Sequence, residues 1–191
     1  ITVEPYQFIE LNWRGIPWEG QCMAIISSTI KSYISGFLDG DGCIMFQLVR
    51  RKDYVYGYQI RASIVFYQKT IHRHHLEWLK SVFDGIGYVR DRNDDMTEYT
   101  IVGLKSVIEI LKLLQPYVLL KKKHIDLALK IYDVLEGKFS LDKLIQAAEL
   151  VDGFKELNYS KKRVNTSIVL KDFLKQHTLS PVTTDSQVNL R

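Results

Sequence analysis

The chain has 191 residues, 46% of them hydrophobic and 25% charged, with a formal net charge of +4. That length buries one core of ordinary size, and the composition excludes collagen, coiled coil and wholesale disorder. Two cysteines, Cys22 and Cys43, are too few for a disulfide framework and point to a reducing, intracellular setting. Apolar runs end at Lys, Asp or Pro well short of membrane-spanning length, and no signal-peptide pattern opens the chain. No membrane partner is therefore expected.

Charge is more informative by placement than by total. Residues 1–30 carry one Arg against three acids, residues 43–92 carry nine Lys and Arg against four, and residues 117–130 carry four Lys against one Asp. Such clustering fits either a polyanion partner or a solvated basic face.

Residues 1–27, with Tyr6, Phe8, Trp13 and Trp18, read as an N-terminal extension of unassigned role. Ile30, Tyr33, Ile34, Phe37 and Leu38 then fall at helical spacing, with Ser28 and Thr29 as candidate N-caps and Gly40-Asp41-Gly42 as the stop. Alternation predicts strands over 43–51 and 58–67. Ile44, Phe46 and Leu48 on the first, and Tyr58, Ile60, Ala62, Ile64 and Phe66 on the second, form the buried face. A helix over Thr70–Phe83 is predicted through Ile71, Leu76, Leu79 and Phe83. Strands at 87–92 and 98–102 turn through Asn93-Asp94-Asp95, and a helix over 104–114 stops at Pro116. Helices near 121–135, 140–151 and 166–175 and a polar tail over 176–191 complete the chain. Helix, hairpin, helix, hairpin, helices is an α+β order: a four-stranded antiparallel sheet with helices on one face and the other face open.

The sharpest local signal is Tyr33-Ile34-Ser35-Gly36-Phe37-Leu38-Asp39-Gly40-Asp41-Gly42. It puts two carboxylates at a helix C-terminus, where the dipole disfavours negative charge unless a cation or donor compensates. Mg²⁺ suits such oxygen ligands, and a plain Asp-Gly turn is the alternative. An EF-hand loop is excluded, because its first and last ligand positions would fall on Phe37 and Leu48. Ser32, Gly36 and Gly40 also recur every four residues. Small residues at that spacing either admit a second copy of the helix across a two-fold axis or pack on the chain's own strand.

The run Ile34–Gly42 resembles the signature of the LAGLIDADG homing endonucleases. A single copy is similar to the homodimeric branch typified by enzymes encoded in chloroplast ribosomal-RNA introns of green algae. Gln68-Lys69-Thr70, Gly87-Tyr88-Val89-Arg90-Asp91-Arg92 and Leu114-Gln115-Pro116 with Lys121 and Lys123 also resemble family segments, in order, across residues 28–175.

The resemblance implies an αββαββα fold with a saddle-shaped sheet, carried by one endonuclease domain over 28–175. It implies a homodimer in contact through Ser32, Gly36, Phe37 and Gly40, acting on double-stranded DNA with Mg²⁺ or Mn²⁺. By motif position Asp41 is the metal-binding acid and the Gly40 carbonyl a second ligand, while Asp39 matches a structural acid. Gln68 and Lys121 match the polar pocket around the metals. The pocket's basic member falls on His72 or, one place later, Arg73. His72, His74 and His75 could hold zinc, but without a Cys pattern nearby a solvated helix start or a DNA-facing cluster fits better. Gln47, Arg51, Tyr54, Gln59, Arg61, Ser63, Arg90, Arg92, Glu98 and Thr100 become candidate DNA contacts, with Lys52, Lys69, Lys122 and Lys123 meeting phosphates. The implied function is an intron-encoded, site-specific nuclease in an organelle or a prokaryotic cytoplasm. An RNA-binding maturase that partners intron RNA, or a catalytically inactive DNA-binding regulator, is the rival reading.

Overall fold

The computed structural model describes residues 26–158 and 164–178. Most of the expected extension (1–27) and tail (176–191) lies outside them, as does Cys22, but the last helix runs to Thr178, three residues into the expected tail. Helix α1 spans Ser28–Asp41, followed by β1 (Gly42–Arg50) and β2 (Tyr58–Lys69). A 3₁₀ turn at Thr70–His72 leads into α2 (Arg73–Val82), then β3 (Tyr88–Asp91) and β4 (Met96–Val102). Helices α3 (Leu104–Leu114), α4 (Lys122–Leu135), α5 (Leu141–Asp152), α6 (Phe154–Leu157) and α7 (Ser167–Thr178) follow.

The four strands pair antiparallel in the order β1-β2-β4-β3. Register places Ile44, Ile64 and Ile101 in one row of the helix-covered face, and Phe66 and Tyr99 in another. Opposite them, on the open face, run the rows Gln47–Arg61, Cys43–Val65–Thr100–Tyr88 and Tyr67–Glu98–Arg90. One feature of this register shapes everything outward of it. β4 pairs with β2 only from Ser63 to Lys69, so Tyr58–Ala62 and Phe46–Arg50 form a two-stranded ribbon projecting past the sheet.

The core joins both halves of the chain. Ile34 and Leu38 of α1 are fully buried in one cluster with Ile44, Phe66 and Ile101 of the sheet and residues of α3 and α4, and the Phe46 ring stacks on Phe154 at 5.2 Å. Seating α1 here also buries Ser35, whose hydroxyl donates to the Leu114 carbonyl at 3.4 Å.

Several expectations need correction. The N-cap of α1 is Ser27, which accepts from the Ile30 amide, rather than Ser28 or Thr29. The helix ends within Gly40-Asp41-Gly42 as expected, with Asp41 its last residue and Gly42 its C-cap. Tyr33 and Ile71 lie on periodic apolar stripes yet are 53% and 76% exposed, because α1 turns Tyr33 outward and Ile71 sits in the 3₁₀ turn ahead of α2. The four-residue α6 was not expected; it places Phe154 under Phe46. Replacing Phe46 by Ala should cost about 3–5 kcal/mol in urea unfolding, since it removes a ring and leaves Phe154 facing a void.

Candidate active site and nucleic-acid face

The C-terminal end of α1 is fixed by Asp39. Its Oδ2 accepts from the amides of Leu119 at 2.8 Å and Leu120 at 3.0 Å, and its Oδ1 from that of Lys121 at 2.9 Å. The Lys121 Nζ donates in turn to the Asp39 carbonyl at 2.5 Å. Burial pushes the Asp39 carboxyl up, but the three amides and the Lys121 charge outweigh it, and the group lies below its ordinary value. Asp39 is thus a clasp between α1 and the entry to α4, the structural part its motif position implied.

Asp41, two residues on, points the other way and is exposed. Its Oδ2 accepts from Gln68 Nε2 at 3.2 Å, which links the end of α1 to the end of β2. A side chain at residue 42 would meet the Leu38 carbonyl at 2.7 Å, so only glycine lets β1 leave the helix this tightly. Asp41 and Gly40 line an open cleft of about 1150 Å³ together with Gln68, Lys69, Lys121 and Lys123, and Gln47 borders it along β1. The cleft therefore unites most of the acid, amide and lysine residues expected at the centre.

His72 and Arg73 are not among its lining residues. Arg73 is held by Asp91 at 2.7 Å and Glu77 at 2.8 Å. His72 is exposed and meets only the edge of His74, with centroids 6.3 Å apart. Neither completes the pocket within one chain. Among the described residues no group of three His, Cys, Asp or Glu is placed to hold a metal. His75 is occupied otherwise: Nε2 meets the Tyr33 hydroxyl at 2.9 Å, and the ring stacks on Trp78 at 5.2 Å.

His124, which the motifs did not single out, lines the cleft one turn after Lys121. Its Nε2 lies 3.2 Å from Asn158 Oδ1, and burial pushes its pKa down. The spacing of three from Lys121 was the available signal, since residues so spaced share a helix face. Cys43, free and half-buried, also lines the cleft. Burial raises its thiol pKa, against the opposing charge of Lys121.

The open face divides the expected contacts. Gln47, Arg51, Tyr54, Arg61, Lys69, Arg90, Arg92 and Lys123 are exposed, and Gln59 is half-exposed. Ser63, Glu98 and Thr100 are buried, because they sit on the central strands β2 and β4 beneath longer neighbours. Glu98 is taken by Arg90 at 2.6 Å and Arg92 at 3.8 Å, so it holds arginines rather than standing free on the face. Arg51 is likewise forked onto Asp53, with both bonds under 3 Å.

The family model "LAGLIDADG endonuclease" matches residues 34–134. The chain is 36% identical to DNA endonuclease I-CvuI of Chlorella vulgaris over 145 residues, covering 76% of this chain and 89% of that protein. It is also 36% identical to DNA endonuclease I-CreI of Chlamydomonas reinhardtii over 143 residues, covering 74% and 86%. The chain belongs to the LAGLIDADG endonuclease family. A crystal structure of I-CvuI in complex with the I-CreI target superposes with a TM-score of 0.73 at 35% identity, covering 78% of this chain and 94% of that one. The archaeal intron-encoded homing endonuclease I-Vdi141I, complexed with DNA, shares the fold at a TM-score of 0.69 and 17% identity, covering 80% and 98%.

The Asp39 clasp has a measurable pH signature. Its folded pKa lies below its ordinary value, so its stabilisation is present above the ordinary aspartate range and is lost as pH falls through the folded pKa. Asp39→Asn should destabilise the protein by about 1 kcal/mol near pH 7, a figure reduced for solvent screening. Denaturation from pH 7 downward should show the gap to the parent closing in acid.

Proposed function

We propose that the chain is a site-specific, intron-encoded homing endonuclease. Two copies would cut both strands of a long pseudo-palindromic DNA site with divalent metal, leaving short 3′ extensions. The observation that carries this is Asp41: an exposed carboxylate on a glycine-flanked helix end, bonded to Gln68, in one cleft with Lys121, and at the head of an open basic sheet face. The relatives I-CvuI and I-CreI are named as DNA endonucleases, and I-CvuI structures with DNA were obtained with Mg or Ca.

The donor set fits a hard divalent cation. The Asp41 carboxylate and the Gly40 carbonyl are oxygen ligands, and Gly40 has no neighbour within 4 Å of where a side chain would begin. The last carbonyls of a helix lack intrahelical partners and favour a cation. One chain offers too few ligands for six-fold coordination, which is why the reading requires a second Asp41 across the two-fold axis. A bound Mg²⁺ or Mn²⁺ supplies the charge that activates a water for in-line attack and offsets charge on the leaving oxygen.

The chain's own residues do the rest. Gln68 holds the Asp41 carboxylate in orientation. Lys121 is anchored to Asp39 through its amide and its ammonium at the edge of the cleft, and the ammonium, on leaving the Asp39 carbonyl, would stabilise charge developing on the phosphate. Lys69 and Lys123 meet phosphates, while Gln47, Gln59, Arg61, Arg90 and Arg92 read base edges.

The small-residue stripe of α1 is open. Side chains at Gly36 and Gly40 would meet nothing within 4 Å, which removes the alternative that they pack on the chain's own strand. Beside the same helix end, Leu119 and Leu120 are 85% and 71% exposed, an apolar surface suited to a second copy.

Two outcomes are expected. With a duplex library or the uninterrupted insertion site, double-strand cleavage requires Mg²⁺ and stops with chelator. Asp41→Asn lowers the rate by about a hundredfold or more while retaining DNA binding. Unchanged cleavage by Asp41→Asn would overturn the assignment, and tight binding to intron RNA without cleavage would favour a maturase. Separately, Gly36→Leu should leave the monomer's unfolding midpoint the same or higher, since Leu is the better helix former by roughly 0.5–1 kcal/mol. It should also shift sedimentation from dimer to monomer.

A further inference from the structure

The projecting ribbon raises a mechanical question. Residues 46–50 and 58–62 have only each other as strand partners, and they end in the Arg51–Gly57 loop, where Val55 is 90% exposed. An isolated two-stranded hairpin is marginal in water. The nine residues of β1 carry this loop about 27 Å from Gly42. On B-DNA at ~3.4 Å per step, that is about eight base pairs outward from the residue next to Asp41. Base readout at such reach demands that the loop hold one orientation.

The loop is closed locally. The Arg51 amide donates to the Gly57 carbonyl and the Gly57 amide to that of Tyr54, both at 2.8 Å, and the Arg51 guanidinium lies 5.6 Å from the Tyr54 ring. These bonds set its shape but not its angle to the sheet. The inner face of the ribbon rests on α4 and α5, and the loop beyond it meets α7. Phe173 seats against Gly57, where a side chain would begin only 2.8 Å from the ring, and Gly57 adopts φ +68°. The same ring meets Tyr58 edge-on at 5.3 Å and carries the Arg50 guanidinium at 5.1 Å. A second support comes from Phe139, between α4 and α5, whose ring is 5.8 Å from Tyr56. Helix α7 is itself anchored to α5: Leu170 is fully buried, and the Ser167 amide donates to Asp152 Oδ2 at 2.9 Å.

We propose that α7 is a brace for the β1–β2 ribbon and that Phe173 is a positioning residue for specificity. It holds the Arg51–Tyr56 loop at the angle from which Arg51 and Tyr54 meet the outer base pairs of a half-site. Phe173 touches no substrate; it acts through Gly57, Tyr58 and Arg50. The specificity role rests on the nuclease reading above, whereas the brace itself does not.

Two measurements on the full chain separate these. Amide hydrogen exchange compares the parent with Phe173→Ala and Phe173→Tyr. Phe173→Ala should raise exchange at the Arg51 and Gly57 amides about tenfold while β4 amides keep their protection. Phe173→Tyr should restore protection. Cleavage is then profiled on duplexes selected by the parent from a randomised library. Phe173→Ala should lose about tenfold discrimination at the outermost positions, with inner positions and kcat unchanged, on the scale of one lost base contact.

Unchanged loop exchange overturns the brace. Faster loop exchange with discrimination lost evenly across the half-site overturns the specificity role and leaves a merely structural one. If the parent cleaves no duplex, the nuclease reading and the specificity role that depends on it both fail, and exchange alone decides the brace.

Discussion

The Asp39 carboxylate is the joint on which the site depends. A helix C-terminus repels negative charge, and α1 carries two acids there. Asp39 resolves this by accepting three amides from residues 119–121, which places the entry of α4 against the end of α1. That junction sets Lys121 in the cleft that Asp41 lines, and with it the first turn of α4, where His124 sits. Asp41 is left with its charge facing outward and one bond, from Gln68. The same helix end thus neutralises one acid internally and leaves the other exposed.

The sheet then gives the site a direction. Gly42 permits β1 to start at the helix end, so the strands run outward from Asp41 with alternate residues on the open face. Its arginines are mostly held by carboxylates: Arg51 by Asp53, Arg90 by Glu98, and Arg92 by Asp94 and Glu98. Such pairs contribute little stability where exposed. They restrict where each guanidinium on the open face can point.

Much of this was legible along the chain. Period-two alternation in residues 43–51 and 58–67 identified both strands, to within two residues at each end, and the buried face, because a strand's two faces differ by covalent geometry alone. The helix over 104–114 was read to the residue, since its stripe and Pro116 bound it. The misreadings have a common origin in neighbours distant in sequence. Ser63 and Thr100 alternate correctly onto the open face, yet the central position of their strands buries them. Arg73 looked available until β3 brought Asp91 to it. Tyr33 and Ile71 matched apolar stripes, but periodicity cannot say how wide the covered stripe is.

The amino-acid sequence by itself determined the family and the α+β order and singled out Asp41, because a motif, a period and a residue type are local properties. The tertiary structure decided which residues share the site. Asp39 meets amides some eighty residues away, and Phe173 meets a glycine in a loop more than a hundred residues earlier. Contacts of that separation are set by the packing of helices on the sheet, and packing depends on three-dimensional shape and volume, which no short window of sequence carries.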